Sequence, residues 1–214
     1  MKLYDFAFSP NCRKVRALAY ELGISLEFTP VDLVRGEQRG APFLGLNPNG
    51  RVPVLVDEGF VLWESTAIMR YLAAKSDGRF IPTTAQASAE MDRWLAWQLA
   101  HLAPAMSRVA FERIVKKLTG QGQPDAAIVA AGSADFAALS AILEAALEGR
   151  EYVAGELSLA DFALAAHYSL AETCGLALAP YARVRAWLTR ISERPSMQRA
   201  LADAQMAMRS AHAA

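Results

Sequence analysis

The stretch Asn47 to Ser65 brings together residue types suited to holding a small charged peptide. A turn cluster, Asn47 to Gly50, leads into Val52-Pro53, and two apolar runs are split by Asp57-Glu58-Gly59. Proline cannot donate to a sheet ladder, so Pro53 marks a strand start or an edge. An X-Pro bond also accepts the cis form far more readily than any other. A cis bond here leaves the Val52 N–H and C=O free to pair with an extended peptide as an added strand. Glu64-Ser65 stands where a helical pattern begins, so the Ser65 hydroxyl and the first helical N–H groups form a pocket for a carboxylate. Together these features describe a site for a small acidic peptide.

The elements that position this stretch follow from periodicity. Residues 2–6 alternate as a strand, and Pro10 to Leu22 carries Val15, Leu18, Ala19 and Leu22 at helical spacing. Pro10 suits the first turn, and Gly23 ends the helix. Residues 26–31 read as a second strand, which makes a β-α-β unit with parallel strands. The segment from Asp32 to Leu46 is polar, with one helical turn near Ala41 to Leu44. Strands at 53–57 and 60–63 form a hairpin, and a helix runs from Glu64 to Lys75. The order βαβ, loop, ββα is that of a small thioredoxin-like domain.

Beyond residue 87 no strand pattern survives. Helices are expected at 87–119, 124–148, 158–173, 180–191 and 196–209, with Ala211 to Ala214 fraying. The fold class is therefore α/β plus all-α, a thioredoxin-like βαβ-ββα domain followed by a C-terminal helical bundle domain. The expected boundaries are 1–78, a linker at 79–86, and 87–214. Ser158 to Asp161 has the outline of a capping box.

The chain has 214 residues, 22 basic and 22 acidic, and no formal net charge, which argues against nucleic acid as a partner. No apolar run is read as approaching the length of a membrane span, and the start lacks a signal-peptide core, so a cytoplasmic location is expected and no membrane partner. Cys12 and Cys174 lie far apart and form no disulfide framework. Three scattered histidines give no metal-ligand spacing.

The motifs Asn47-Pro-x-Gly-x-Val-Pro-Val-Leu, Glu64-Ser65-x-Ala-Ile68 and Ser9-Pro-Asn-Cys-Arg-Lys-Val15, in this order and spacing, resemble the soluble glutathione transferase family. The resemblance covers the first 80 residues closely and the rest more loosely. It implies a serine-type enzyme of the theta- and phi-like bacterial branch, with glutathione as co-substrate, a small apolar electrophile as second substrate, no metal, and a homodimer. It also assigns the Ser158–Asp161 cap a structural role.

The resemblance carries the role of thiolate activation to Ser9. A thiol of pKa ~8.5 must ionise at neutral pH, and both a hydroxyl donating to the sulfur and a helix N-terminus favour that. Serine before a helix also fits an ordinary N-cap. Asn11 is an auxiliary donor, because in some relatives asparagine meets the sulfur. Glu64 and Ser65 match the residues that hold the γ-glutamyl end, Val52 pairs through its backbone, and Pro53 holds that turn. Arg39 and Arg51 are candidates for the glycine carboxylate, although Gln38-Arg39-Gly40 departs from the family's usual histidine and lysine. Ser9-Pro-Asn-Cys12 also looks like a dithiol motif without its leading cysteine, so exchange chemistry is absent and Cys12 reads as packing.

The electrophile pocket is assigned to Phe8, Val34, His101, Met106, Arg108 and Phe111. Peroxidase, dehalogenase and isomerase activities all begin from the same thiolate and remain alternatives. A transferase-like interaction module is the non-enzymatic one. Retention of Ser9 and of the Glu64-Ser65 pair favours the enzyme.

Overall fold

The computed structural model describes residues 1–207 in full and follows the backbone of the last helix to Ala213, so the fraying expected at Ala211 to Ala214 lies outside the fully described residues. The described residues form two compact units, Met1–Ile81 with Ser192–Ala214, and Pro82–Ile191.

The first unit runs β1 (Lys2–Asp5), α1 (Pro10–Leu22), β2 (Glu27–Pro30), a 3₁₀ turn (Glu37–Arg39), α2 (Ala41–Leu44), β3 (Val54–Asp57), β4 (Phe60–Trp63) and α3 (Ser65–Ala74). Its four-stranded sheet has the order β2-β1-β3-β4. β1 pairs in parallel with β2, Leu3 opposite Phe28, and antiparallel with β3, Leu3 opposite Leu55. This is the expected thioredoxin-like arrangement of a mixed sheet and helices. Side chains alternate across a strand. Tyr4 and Val54, paired across β1 and β3, therefore join a cluster with Val31 and with Phe43 of α2, while Leu3 and Leu55 are buried on the other face.

α1 begins at Pro10, and its end is sealed by Gly23 at φ 70°, with the N–H of Ile24 bonded to Ala19 O. Left-handed backbone of this kind favours glycine. The helix is buried from Cys12 to Ala19 because it packs against both α3 and α10 (Pro195–Ala213). Arg16 joins β1 to α10, bonding Asp5 Oδ1 at 3.0 Å and Asp203 Oδ2 at 2.7 Å, and the Tyr20 hydroxyl donates to Asp203 at 2.6 Å. Glu21 receives hydrogen bonds from both Arg194 and Ser196.

The second unit is helical throughout: α4 (Ala85–Trp97), α5 (Ala103–Ala110), α6 (Lys116–Thr119), α7 (Ala126–Ala146), α8 (Leu159–Tyr168) and α9 (Ala182–Ser192). The single helix expected over 87–119 contains two π-helical turns, Gln98–Leu102 and Phe111–Val115. The first precedes Pro104, whose ring nitrogen has no proton to give to the helical ladder. The helix expected to reach residue 173 stops at Tyr168, where the Ser169 hydroxyl takes the Ala166 carbonyl at 2.9 Å and competes with the ladder.

At the head of α8, Asp161 is buried and accepts the N–H of Ser158 (2.9 Å), the N–H of Val153 (3.0 Å) and the Trp187 Nε1–H (2.9 Å). The expected cap is therefore also a tertiary joint, tying α9 to α8.

α7 corrects one reading. By length and composition alone it is apolar enough to cross a membrane, which the sequence was not expected to offer. Ten of its 21 residues are alanine and Asp135 and Glu144 interrupt it, so it lacks a continuous run of large apolar residues. One face, Gly132, Phe136, Ser140 and Leu143, is buried, and α5 packs against the helix, while Ile128 and Ile142 stand exposed.

Candidate active site

Ser9 is the N-cap residue of α1, in extended backbone, and its carbonyl accepts the N–H of Cys12 and of Arg13. Its hydroxyl makes no capping bond to the helix. The half-buried hydroxyl thus sits at the positive end of a 13-residue helix without being spent on the cap. Two residues on, Asn11 Oδ1 accepts from the Ser65 hydroxyl at 3.3 Å. The heads of α1 and α3 meet there, although 54 positions separate the two residues. Ser65 is buried, and Glu64 before it is exposed.

Glu64 holds φ 71° and ψ 106°. A non-glycine residue rarely adopts such backbone, and strain of this kind gathers at ligand sites. It turns the chain from β4 directly into α3.

The Val52–Pro53 peptide bond is cis. Asn47, absent from the expected set, holds the turn before it. The buried side chain donates from Nδ2 to Arg51 O at 2.7 Å and accepts from Asn49 N at 3.0 Å. Gly50, at φ 59°, lies where a Cβ would stand 3.1 Å from the Gln38 carbonyl, so glycine is required twice over. A buried asparagine followed by Gly50 in a turn cluster was a usable signal for this.

Cys12, in the first turn of α1, is buried and accepts the Phe6 N–H at 3.4 Å. Burial, then the nearby Asp5, pushes its thiol up to about 12, against the Phe6 and Ser9 hydrogen bonds. A thiol so protonated neither attacks nor exchanges.

The remaining candidates are distributed as follows. Arg39 and Arg51 are both exposed on the first unit. Phe8 stacks with Phe6 at 5.1 Å between centroids, and Val34 is half exposed. In the helical unit His101 and Phe111 are exposed, Met106 is buried in the core, and Arg108 pairs with Asp135 at 2.9 Å. A cavity of about 450 Å³ lies elsewhere on the first unit, lined by Tyr4, Thr29, Val31, Glu37 and Phe43. It is apolar and shallow and contains neither Ser9 nor Ser65. Among the described residues no group of three or more His, Cys, Asp or Glu could hold a metal ion.

Two family models match the chain: the glutathione S-transferase N-terminal domain over residues 1–74 and the glutathione S-transferase C-terminal domain over 102–195. Glutathione S-transferase 3 of Zea mays is 38% identical over 213 residues, spanning 94% of this chain and 93% of that protein. The chain belongs to the glutathione S-transferase family. Solved transferases share its fold along nearly the whole length. Glutathione transferase F7 of Populus trichocarpa superposes with a TM-score of 0.87 at 29% identity, over 95% of this chain and 98% of that one. Glutathione S-transferase I of maize, solved with an atrazine glutathione conjugate, does so at 0.87 and 27%, over 95% and 97%. Within the transferase, Ser9, Asn11, Arg39, Arg51, Val52, Pro53, Glu64 and Ser65 all fall inside the N-terminal match, and Met106, Arg108 and Phe111 inside the C-terminal one.

Proposed function

We propose that this transferase binds glutathione on its first unit, in the serine-type manner of the theta- and phi-like branch, and delivers the thiolate to a small apolar electrophile. The carrying observation is the Asn11–Ser65 hydrogen bond, which joins two helix heads beside Ser9, whose hydroxyl makes no capping bond to α1. Ser65 and the α3 N-terminus take the γ-glutamyl carboxylate, and Glu64 faces its ammonium. Val52 pairs through its backbone on the turn held by Pro53, and Arg39 and Arg51 attract the glycine carboxylate. Ser9 donates to the sulfur, with Asn11 assisting, and the thiol proton leaves to solvent. The sulfur lone pair then forms the new bond at carbon while the leaving group departs with its electron pair. Phe8, Val34, His101, Met106, Arg108 and Phe111 are the proposed surroundings of the electrophile, in a domain scheme of 1–78, linker 79–86, and 87–214.

We further propose a cytoplasmic homodimer. Ile128 and Ile142, exposed on one side of α7 to either end of Asp135, support a second copy as the partner.

Calorimetric glutathione binding, with a thiolate absorbance titration of the complex, tests the mechanism on wild type and Ser9→Ala. A hydrogen bond to a charged group is worth ~1.5–3 kcal/mol, so Ser9→Ala should raise the bound thiol pKa by about 1 to 2 units. An unchanged low pKa in Ser9→Ala would transfer the role to Asn11 or to the helix end. Absence of binding by wild type would sink the enzymatic reading and leave an interaction module.

A further inference from the structure

α1 carries a charge at a place where packing alone asks for none. Lys14 is completely buried, within the stretch Cys12–Ala19 that is covered by its neighbours. Lysine is almost never found so deep without a reason, because an ammonium loses its hydration there. A methionine of similar length would fill the space at no such cost. The Lys14 Nζ instead donates to Thr66 Oγ1 at 3.2 Å. Thr66 lies in the first turn of α3, directly after Ser65, and Ser65 in turn bonds Asn11 on α1.

The lysine therefore stands beneath the Glu64-Ser65-Thr66 turn, with its ammonium on the inner side of the corner where the helix heads meet. Glu64, from the head of α3, and Cys12, from its own helix, act on it electrostatically. Burial draws the ammonium down to about 7, and those two groups oppose the fall. Arg13, the next residue back, is likewise buried and lowered to about 10 by burial.

We propose that Lys14 is a positioning residue for glutathione, fixing the Ser65-Thr66 turn from below and supplying the buried positive charge that offsets the γ-glutamyl carboxylate and the thiolate. This rests on the glutathione reading given above. One consequence is a proton count. Each negative charge brought to the corner favours the ammonium form, so binding near neutral pH draws a proton from solvent onto the Nζ lone pair. This uptake is fractional, because burial lowers the amine to about 7. It partly cancels the proton released by the thiol.

Lys14→Met and Lys14→Arg test the assignment. Melting temperature is measured without glutathione. Glutathione affinity is measured by calorimetry at pH 7 in buffers of different ionisation enthalpy, and the bound thiol pKa by absorbance. Lys14→Met should melt no lower than wild type, since it removes a buried charge. It should bind glutathione at least ~10-fold more weakly, release more protons on binding, and show a raised thiol pKa with an unchanged KM for the electrophile. Lys14→Arg should restore part of the affinity without the proton uptake, because its guanidinium does not titrate near neutrality.

Wild-type affinity and thiol pKa in Lys14→Met would overturn the proposal. So would a lowered melting temperature with an unmoved thiol pKa, which makes Lys14 structural. Should Lys14→Met fail to fold, Thr66→Val keeps the charge and removes the bond, and wild-type affinity there overturns the positioning role. Failure of wild type itself to bind glutathione would strike the underlying reading instead.

Discussion

A single amide side chain holds the Val52–Pro53 turn from behind. Asn47 satisfies both the carbonyl of Arg51 and the N–H of Asn49, and no water can replace those bonds cheaply in a buried position. Asn47→Ala removes both, at ~1 kcal/mol each plus the cost of leaving Arg51 O unpaired, so about 2–4 kcal/mol of stability should be lost. Urea unfolding reads that loss. Steady-state kinetics should show a raised KM for glutathione with a nearly unchanged kcat, because the turn positions substrate and touches no reacting atom. A fall in kcat alone would mean that the turn acts on the chemical step. This residue also marks what the sequence made legible. Ser9, Asn11, Glu64 and Ser65 lie in short contiguous motifs whose types announce their chemistry. Lys14 and Thr66 fall inside the same motifs, yet nothing there announces them as a pair: 52 positions separate them, and only the packing of α1 on α3 brings them to 3.2 Å. Lys14 reads in sequence as one more solvated charge on an amphipathic helix.

The contact between α5 and α7 depends on one missing side chain. A Cβ on Gly132 would stand 2.7 Å from Val109 Cγ2 and 3.1 Å from the Ala105 carbonyl oxygen, so the helices could not keep their separation. Alanine gains ~1 kcal/mol of helix propensity at such a position, whereas overpacking against a backbone atom costs ~1–3 kcal/mol. Gly132→Ala should therefore destabilise by up to about 2 kcal/mol. Adding Val109→Ala should recover part of that, and the double-mutant cycle measures the coupling. Strict additivity would show that the approach is looser than the geometry implies.

α10 offers a pH test in the first unit. Burial raises the Glu21 carboxyl, but hydrogen bonds from Arg194 and Ser196 outweigh it, so its native pKa lies below the ordinary value. A depressed carboxylate stabilises fully above its unfolded pKa of ~4.3, and the contribution is lost as pH falls through the lower native value. Glu21→Gln should lower the melting temperature at pH 7, flatten the acid limb, and approach wild type once pH has fallen below the lowered native pKa. Parallel wild-type and variant curves would remove Glu21 from the clasp. Helix existence was legible from periodicity. The first π-helical turn and the early stop at Tyr168 were not, because they follow from Pro104 and from the Ser169 hydroxyl rather than from apolar spacing.

At the scale of the whole molecule, α7 poses the remaining physical question. A helix as apolar as α7 normally buries more than one face. Here one face is buried within its unit, and Ile128 and Ile142, 14 positions apart, stand 40% and 52% exposed on another. Fourteen residues are close to four helical turns, so both project from one side and form a stripe that Asp135, paired with Arg108, interrupts midway. A second copy of the chain would cover that stripe and would also explain why an amphipathic pattern is missing from the sequence of α7. Sedimentation equilibrium at micromolar concentration should therefore give the mass of a dimer. Ile142→Glu places a charge in the stripe without touching the buried face, and should shift the equilibrium to monomer by ~10-fold or more in dissociation constant. Its helical signal should persist, and its melting temperature should become insensitive to protein concentration. A wild-type monomer, or a dimer indifferent to Ile142→Glu, would remove α7 from the interface and leave its hydropathy to alanine content alone.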